Sequence, residues 1–274
     1  MTDLSGKTIA ITGGARGLGF EMARTAVAHG AAVALIGRTK TTLEEAAAKL
    51  SAEAGTPPKP RVSIHVADVA DDSQVQEAFA AIVDQHGRLD GLVNNAGIAE
   101  EHAFLNTPAE SWRRVVEINL TAPFICMQHA ARVMVPGSVI VNIASVDAHG
   151  ADGPYASYVA AKTGLLGLTR AAAVELGPLG IRVVSVSPGW TLTDMAAESV
   201  TPEMLHSMRT NFKRTPLRRM NTGAEIANTV LFLLSDLATG ITGEDILVDA
   251  GTRANLYILE SLETETPNQE GSNS

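Results

Sequence analysis

Short apolar runs of β type alternate with helical segments along most of this chain, and this order constrains the fold more than any other feature. Helical periodicity follows the first run at 17–28 and recurs at about 42–54 and 71–86. Strand-like runs lie at 8–11, 32–36, 62–66, 89–94, 139–143 and 181–186. Such alternation indicates a parallel sheet with helices on both faces. We therefore predict an α/β fold with a doubly wound parallel sheet and three layers, α/β/α.

The length of 274 residues is within the range of undivided α/β folds, and no stretch of the sequence is long enough to serve as a linker. We predict a single domain over 1–251. Residues 190–221 interrupt the alternation after a predicted strand, and we expect them to form a lid over a substrate. Residues 252–274 are predicted to be a C-terminal extension, with an apolar patch at 255–259 and a disordered distal part.

Composition excludes several classes of protein. Cys126 is the single cysteine, so no disulfide scaffold forms within the chain. Thirty acidic and 21 basic residues give a formal charge of −9, which disfavours nucleic acid as a partner. The seven histidines lack the close spacing of a metal site. Neither a membrane span nor a signal peptide is evident, so the predicted location is cytoplasmic.

A glycine-rich turn, with Gly13, Gly17 and Gly19, joins the first predicted strand to the first helix. Glycines allow the backbone to approach a ligand, and the start of a helix presents unpaired amides and the positive end of its dipole. The spacing differs from the common G-x-G-x-x-G fingerprint, and a tight strand-to-helix connection would need no ligand. The position between strand and helix favours a pyrophosphate, and hence a dinucleotide.

The end of the second strand bears on which dinucleotide binds. NAD sites usually place an acid there for the ribose 2′-hydroxyl, whereas an arginine accommodates a 2′-phosphate. This chain has Arg38 there, and Arg16 adds a second cation within the glycine turn. Arg38 could equally cap a helix or face solvent. The prediction is NADP(H), with NAD(H) as the alternative.

Tyr158 and Lys162 are four residues apart, which places them on one face of a helix. Ser145 directly follows a predicted strand, and ligands bind at the carboxyl ends of parallel strands. A cation beside a phenol favours the phenolate, so this pair is suited to proton transfer near neutral pH. Tyr-x-x-x-Lys alone is common on helix surfaces, so the inference depends on the other motifs.

Together these motifs resemble the short-chain dehydrogenase/reductase family, whose fold is of the Rossmann type. They occur in the order and spacing of that family between about residues 4 and 251, nearly the whole chain. The matching residues are Thr12-Gly13-x-x-x-Gly17-x-Gly19, Asn94–Asn95–Ala96–Gly97, Asn119, Ser145, Tyr158-x-x-x-Lys162 and Pro188–Gly189.

The resemblance implies a catalytic role for four residues. Tyr158 would be the general acid/base, Lys162 would lower its pKa and hold the nicotinamide ribose, and Ser145 would position the substrate oxygen. Asn119 would hold a water in a proton relay. No metal is required, because hydride passes directly between cofactor and substrate.

The resemblance also implies the cofactor contacts. Asp68 and Val69 would meet the adenine, and Pro188, Gly189, Thr191 and Thr193 would place the nicotinamide carboxamide. The remaining predicted contacts are Gly13, Arg16, Gly17, Leu18, Gly19, Arg38, Asn95, Ala96 and Gly97, with Tyr158 and Lys162 of the catalytic set.

Three functions are consistent with these residues. The first is a ketoreductase that transfers hydride between NADP(H) and a carbonyl or secondary alcohol. The second is an NAD-dependent alcohol or sugar dehydrogenase on the same fold. The third is a non-catalytic dinucleotide sensor, which is disfavoured because all four residues implied to be catalytic are present.

The substrate itself is predicted only as a medium-sized, partly apolar molecule. The lid offers an apolar lining that could equally be packing: Trp190, Leu192, Met195, Met204, Met208 and Phe212. His149 is expected to shape the substrate pocket or to be exposed.

Helices around 106–135 and 155–177 are rich in Ala, Gly and Leu. In the family that this chain resembles, the matching helices form subunit interfaces. A homotetramer, or else a homodimer, is therefore expected, and the 255–259 patch could dock on a neighbouring subunit.

Overall fold

A seven-stranded parallel sheet lies at the centre of the computed structural model, which describes residues 2–53, 62–192 and 201–255. From edge to edge its strands are β3 (Val62–Val66), β2 (Ala32–Gly37), β1 (Thr8–Thr12), β4 (Gly91–Asn94), β5 (Val139–Ile143), β6 (Arg182–Pro188) and β9 (Asp245–Val248). Two short strands, β7 (Thr191–Leu192) and β8 (Asn221–Thr222), form a separate parallel pair. The predicted α/β fold is confirmed.

Helices connect the strands. They are α1 (Gly17–Ala28), α2 (Lys40–Glu53), α3 (Asp72–His86), α4 (Ala109–Val116), α5 (Ala122–Ala131), α6 (Ala156–Leu176), α7 (Pro202–Thr210) and α8 (Gly223–Leu234). Local sequence sets several ends. Helix α3 starts where the Asp71 carboxylate accepts from the Gln74 amide at 3.1 Å, and it ends at Gly87, whose φ is +82°.

Side chains that alternate along the strands bury both faces of the sheet. Ile9 and Ile11 of β1 pack on one face with α1 and α8, whereas Ala10 between them faces α3 and α5 on the other. Strands β1, β4 and β5 are buried along their whole length, as expected for strands covered on both sides. Burial of these aliphatic side chains makes the sheet a rigid support for the loops at its edge.

The strand order reverses at β1. Ile9 pairs with Val33 of β2 on one side and with Gly91 of β4 on the other, so the chain leaves β1 in opposite directions in its two halves. Such a reversal opens a crevice beyond the carboxyl ends of the central strands. The segments that follow β1, β4 and β5 meet at this crevice.

The two segments predicted to interrupt the alternation are described only in part. Within 190–221 the structure shows β7, α7 and the start of β8, whereas Thr193 and Met195 lie outside the described residues. Of the extension, 252–255 is described, so the predicted patch and the predicted disorder fall almost entirely outside that range. In the described ranges no helix is long and apolar enough to cross a membrane.

Candidate active site

The glycine turn after β1 has a backbone that only glycine adopts easily. Gly13 and Gly17 have φ of +64° and +55°. A Cβ on Gly19 would overlap the Gly13 carbonyl oxygen and lie 2.6 Å from Asn95 Nδ2. Because Gly19 has no side chain, α1 can begin directly against the segment after β4.

That segment is tied to the glycine turn by hydrogen bonds. The Thr12 hydroxyl accepts from the amides of Asn95 and Ala96, each at 3.0 Å. In return Asn95 Nδ2 donates to the carbonyl oxygens of Thr12 and Gly13, at 3.0 and 3.3 Å. The two loops therefore form one preorganised wall at the strand-order reversal.

A cleft of about 340 Å³ opens beside this wall and is lined by eight of the residues predicted to contact the cofactor. Its lining includes Gly13, Arg16, Arg38, Asp68, Val69, Asn95, Ala96 and Gly97. Gly17 and Leu18 line an adjoining cleft of about 400 Å³, and Pro188, Gly189 and Thr191 line a third cavity beside Ser145. Thr193 lies outside the described residues.

These residues fit a dinucleotide. The glycine turn forms a cradle that a Cβ would fill, and the first amides of the 12-residue helix α1 have no acceptor within the helix. Strand β2 ends at Gly37, and both Arg16 and Arg38 reach the same cleft. Asp68 is the one acidic residue among the described residues that line this cleft, and it follows β3 rather than β2.

Asn119 lies in a π-helical turn, Glu117–Thr121, that joins α4 to α5. Its side chain is fully buried. Its Nδ2 donates to the carbonyl oxygens of Ile98 and Val115 at 2.7 and 2.8 Å, and its Oδ1 accepts from the Ile98 amide at 3.2 Å. The amide thus holds the loop after β4, a positional role that the sequence did not reveal. π-Helical turns are frequent at functional sites.

Lys162 is buried on α6 and its Nζ donates to the Ile143 carbonyl oxygen at 2.7 Å. Burial lowers the pKa of this ammonium to about 8. A Cβ on Gly97 would lie 3.7 Å from Nζ and 2.7 Å from Asn119 Oδ1. The lysine, the asparagine and the loop after β4 therefore converge at one point.

Tyr158 lies one turn before Lys162, with the lysine Nζ 5.6 Å from its ring centroid. Burial raises the pKa of the phenol, a hydrogen bond with Ser145 opposes this, and the Asp147 charge raises it further. Within the protein alone the phenol is thus held protonated, whereas lowering by Lys162 was expected. A protonated phenol is the form that donates a proton to a carbonyl oxygen.

Ser145 follows β5 and begins a short 3₁₀ turn, Val146–Ala148. Its Oγ accepts from the Asp147 amide at 3.1 Å and lies 3.3 Å from Asp147 Oδ2. Burial raises the pKa of the Asp147 carboxyl. Asp147 is therefore part of the site, a residue that the sequence motifs do not include.

The third cavity has a volume of about 650 Å³ and contains Ser145, His149, Trp190, Arg214 and Arg253. His149 lines the cavity, which agrees with the first of its two predictions, that it shapes the substrate pocket. Its Nε2 lies 2.7 Å from Asp245 Oδ2, and Asp245 Oδ1 accepts from the hydroxyls of Ser185 and Ser187. Because it lies in the crevice beside Ser145, this cavity is the candidate substrate cavity.

The apolar residues of the predicted lid divide among different surroundings. Trp190 lines the substrate cavity, and Phe212 packs edge-on against it with centroids 5.6 Å apart. Leu192 and Met208 line the cleft next to α1 instead, and Met204 is half exposed. Of these described residues, Trp190 is therefore the one large apolar side chain that lines the substrate cavity.

Comparisons with known proteins agree with this arrangement. A family model described as enoyl-(acyl carrier protein) reductase matches residues 13–253. A 3alpha-hydroxysteroid dehydrogenase from Mediterraneibacter gnavus is 36% identical, over 92% of this chain and 98% of that protein. A trans-4-hydroxycyclohexanecarboxylate dehydrogenase from Sinomonas cyclohexanicum is also 36% identical, over 90% and 93%. The structure of a short-chain type dehydrogenase/reductase from Mycobacterium ulcerans superposes with a TM-score of 0.85 at 32% identity, covering 92% of each chain.

Fold and similarity together define an oxidoreductase that acts on alcohol or carbonyl groups with a nicotinamide dinucleotide, NAD(H) or NADP(H). The chain belongs to the short-chain dehydrogenase/reductase family.

Proposed function

We propose that this protein is a ketoreductase of that family, which interconverts a ketone and a secondary alcohol with NADP(H) and with Tyr158 as general acid/base. The observation that carries the proposal is the convergence of Ser145, Tyr158 and Lys162 beside a glycine cradle. In reduction the Tyr158 phenol donates its proton to the carbonyl oxygen, and in oxidation the phenolate accepts the alcohol proton.

The other residues bind and orient. Ser145 Oγ hydrogen-bonds the substrate oxygen and fixes its distance from the phenol. Lys162 holds the ribose and supplies the positive charge that favours the phenolate, while Asn119 maintains the loop after β4 and holds a relay water. When bound, the nicotinamide supplies the hydride or accepts it.

The cofactor residues divide by the part of the dinucleotide that they hold. Gly13, Gly17, Leu18 and Gly19 present backbone amides to the pyrophosphate. The adenine half is assigned to Asp68 and Val69, and the middle of the cofactor to Asn95, Ala96 and Gly97. The carboxamide contacts are assigned to Pro188, Gly189, Thr191 and Thr193, with 190–221 as the substrate lid.

A panel of ketones and secondary alcohols, assayed with NADPH, NADH and their oxidised forms, tests the reaction. We expect cofactor-dependent turnover of at least one ketone, and faster with NADPH. Tight cofactor binding without turnover of any carbonyl would contradict the proposal and favour a dinucleotide sensor.

Arg38→Asp is expected to shift cofactor preference from NADP towards NAD. The arginine reaches the cleft at the end of β2, where a carboxylate would instead accept from a ribose 2′-hydroxyl and repel a 2′-phosphate. A charge-assisted contact is worth about 1.5–3 kcal/mol, so the ratio of kcat/KM for NADP to that for NAD should fall at least about 10-fold. Lys40→Asp, at an exposed start of α2, is the charge-matched control. An unchanged ratio in Arg38→Asp would refute the NADP assignment.

The names of the two relatives describe hydroxyl groups on rings, one on a steroid and one on a cyclohexane. A cavity of about 650 Å³ has room for such a ring beside Ser145. We therefore extend the proposal to a secondary alcohol on a ring, or the corresponding cyclic ketone, as substrate.

A homotetramer is part of the proposal, and a homodimer is its alternative. Large apolar side chains are exposed on helices predicted to form interfaces: Trp112 on α4, Phe124 on α5 and Val174 on α6. Sedimentation equilibrium at micromolar concentration is expected to give four times the 28.7-kDa protomer mass. A protomer mass would contradict both assemblies. Cytoplasmic location stays a prediction from the sequence.

A further inference from the structure

The two arginines of the substrate cavity are not both held by ion pairs to described residues. Two arginines, Arg214 and Arg253, and two aspartates, Asp147 and Asp152, line it. Arg214 contacts Asp152 only at 3.5 Å, and more than half of the arginine side chain is exposed. The guanidinium of Arg253 makes no ion pair or hydrogen bond with any residue in the described ranges.

The two aspartates leave Arg253 without an ion pair in the described ranges. Asp147 is half-buried, and its carboxylate accepts from the Ser145 hydroxyl at 3.3 Å. Two other titratable groups of the lining have acidic partners: His149 is paired with Asp245 at 2.7 Å, and the Tyr155 hydroxyl donates to Glu101 at 3.1 Å. The described lining therefore holds one guanidinium that is weakly paired and one that is unpaired.

The Arg214 guanidinium has a fixed support, and for Arg253 it is the backbone that is fixed. Arg214 lies over the Trp190 ring at 5.0 Å from its centroid, and Phe212 buttresses that ring from its edge. Arg253 ends a turn, 249–253, in which the Asp249 carboxylate accepts from the amides of Gly251 and Arg253 at 2.9 and 2.7 Å.

The backbone of the 249–253 turn is held in an unusual conformation. Ala250 has φ of +53°, and a Cβ on Gly189 would lie 2.7 Å from Asp249 Cα. Strained, tightly packed turns of this kind persist where the surrounding structure fixes them, often at ligand sites. The turn thus fixes the backbone of Arg253 beside the cavity, while its side chain is exposed.

From these contacts we infer that Arg214 and Arg253 bind a carboxylate of the substrate, so that the natural substrate is a hydroxy acid or keto acid. Guanidinium groups pair with carboxylates through parallel, charge-assisted hydrogen bonds. Because Ser145 takes the reacting oxygen, the carboxylate is a second group of the substrate, attached elsewhere on its skeleton. The inference rests on the proposed reaction and specifies the substrate class of that same site.

The test compares molecules that differ only in charge. The probes are cyclic keto acids such as 4-oxocyclohexanecarboxylate, with zero, two or four methylenes between ring and carboxylate, and the primary amide of each. Equilibrium binding to the protein saturated with NADP⁺ is measured by calorimetry, and turnover with NADPH is measured in parallel. We expect at least one acid to bind about 10-fold more tightly than its amide.

Variants assign that difference to the two arginines. Arg253→Gln and Arg214→Gln are each expected to weaken binding of the acid about 10-fold and to leave the amide unchanged. Asp152→Asn releases Arg214 and is expected to tighten binding of the acid. Arg209→Gln, on exposed α7, removes a charge from the same segment without lining this cavity and should change neither affinity.

Equal binding of acid and amide across the series, or unchanged acid binding in both arginine variants, would overturn the inference. Neutral cyclic ketones separate this failure from that of the proposed reaction. Turnover of 4-methylcyclohexanone without preference for any acid would leave the reductase intact and remove the carboxylate site.

Discussion

Replacement of Tyr158 by phenylalanine is expected to lower kcat at least about 10³-fold, within the range of positioned proton transfer. The hydroxyl is the group that exchanges a proton with the substrate oxygen, and burial holds it protonated beside Ser145. Affinity for the dinucleotide should change less than about 10-fold, the most that one neutral hydrogen bond accounts for. Steady-state kinetics and cofactor titration, measured on the same preparation, separate the two effects.

Tyr155→Phe is the matched control, because it removes the same atom three residues earlier. The Tyr155 hydroxyl donates to the exposed Glu101 carboxylate at 3.1 Å, a surface contact of little energetic value. Most of kcat should remain in that variant. Retention of more than about a tenth of kcat in Tyr158→Phe would assign proton transfer to another group.

The sheet was predictable from the sequence because buried parallel strands leave a strong signal. Six of its seven strands coincide with apolar runs such as Val139–Ile143. The exception is β9, whose four residues begin with a charge at Asp245 and offer little periodicity. Its assignment depends on pairing with β6, which is tertiary information.

Within the site, the sequence predicted residue types at strand ends but not how the side chains are paired. The four-residue spacing of Tyr158 and Lys162 was enough to predict that they share one face of a helix, and both residues lie on α6. The pairing of His149 with Asp245 spans 96 residues and depends on β9. The lysine pKa likewise reflects burial on α6, and spacing cannot report burial.

Lys162→Met is expected to abolish turnover and at the same time to stabilise the protein. Loss of the ammonium removes the charge that favours the phenolate and the contact to the ribose, so kcat/KM should fall about 10³-fold. The same ammonium is buried, and burial lowers its pKa from 10.5 to about 8. The folded state therefore disfavours the charged form that the unfolded chain retains.

This penalty sets the sign and the pH range of the stability change. Between the two pKa values the unfolded state binds more protons, so wild-type stability from this group rises with pH from about 8 towards 10.5. Below pH 8 the full penalty applies, up to about 3 kcal/mol. Loss of the hydrogen bond to the Ile143 carbonyl offsets about 1 kcal/mol of this gain in stability. At pH 7 the free energy of unfolding of Lys162→Met should therefore exceed that of wild type by about 2 kcal/mol.

Urea unfolding at fixed protein concentration, without cofactor, measures this difference at pH 7 and pH 10. The advantage of Lys162→Met should shrink by about 2 kcal/mol over that interval, because wild type sheds the proton it holds at a cost. Lys40→Met, which removes an exposed ammonium 3.7 Å from Glu44, should stay within about 0.5 kcal/mol of wild type at both pH values. A Lys162→Met protein that is less stable at pH 7, or whose difference is independent of pH, would show that the buried ammonium is fully compensated. The Lys162 ammonium would then be charged in the folded protein without a net desolvation penalty, and it could lower the pKa of the Tyr158 phenol before any cofactor binds.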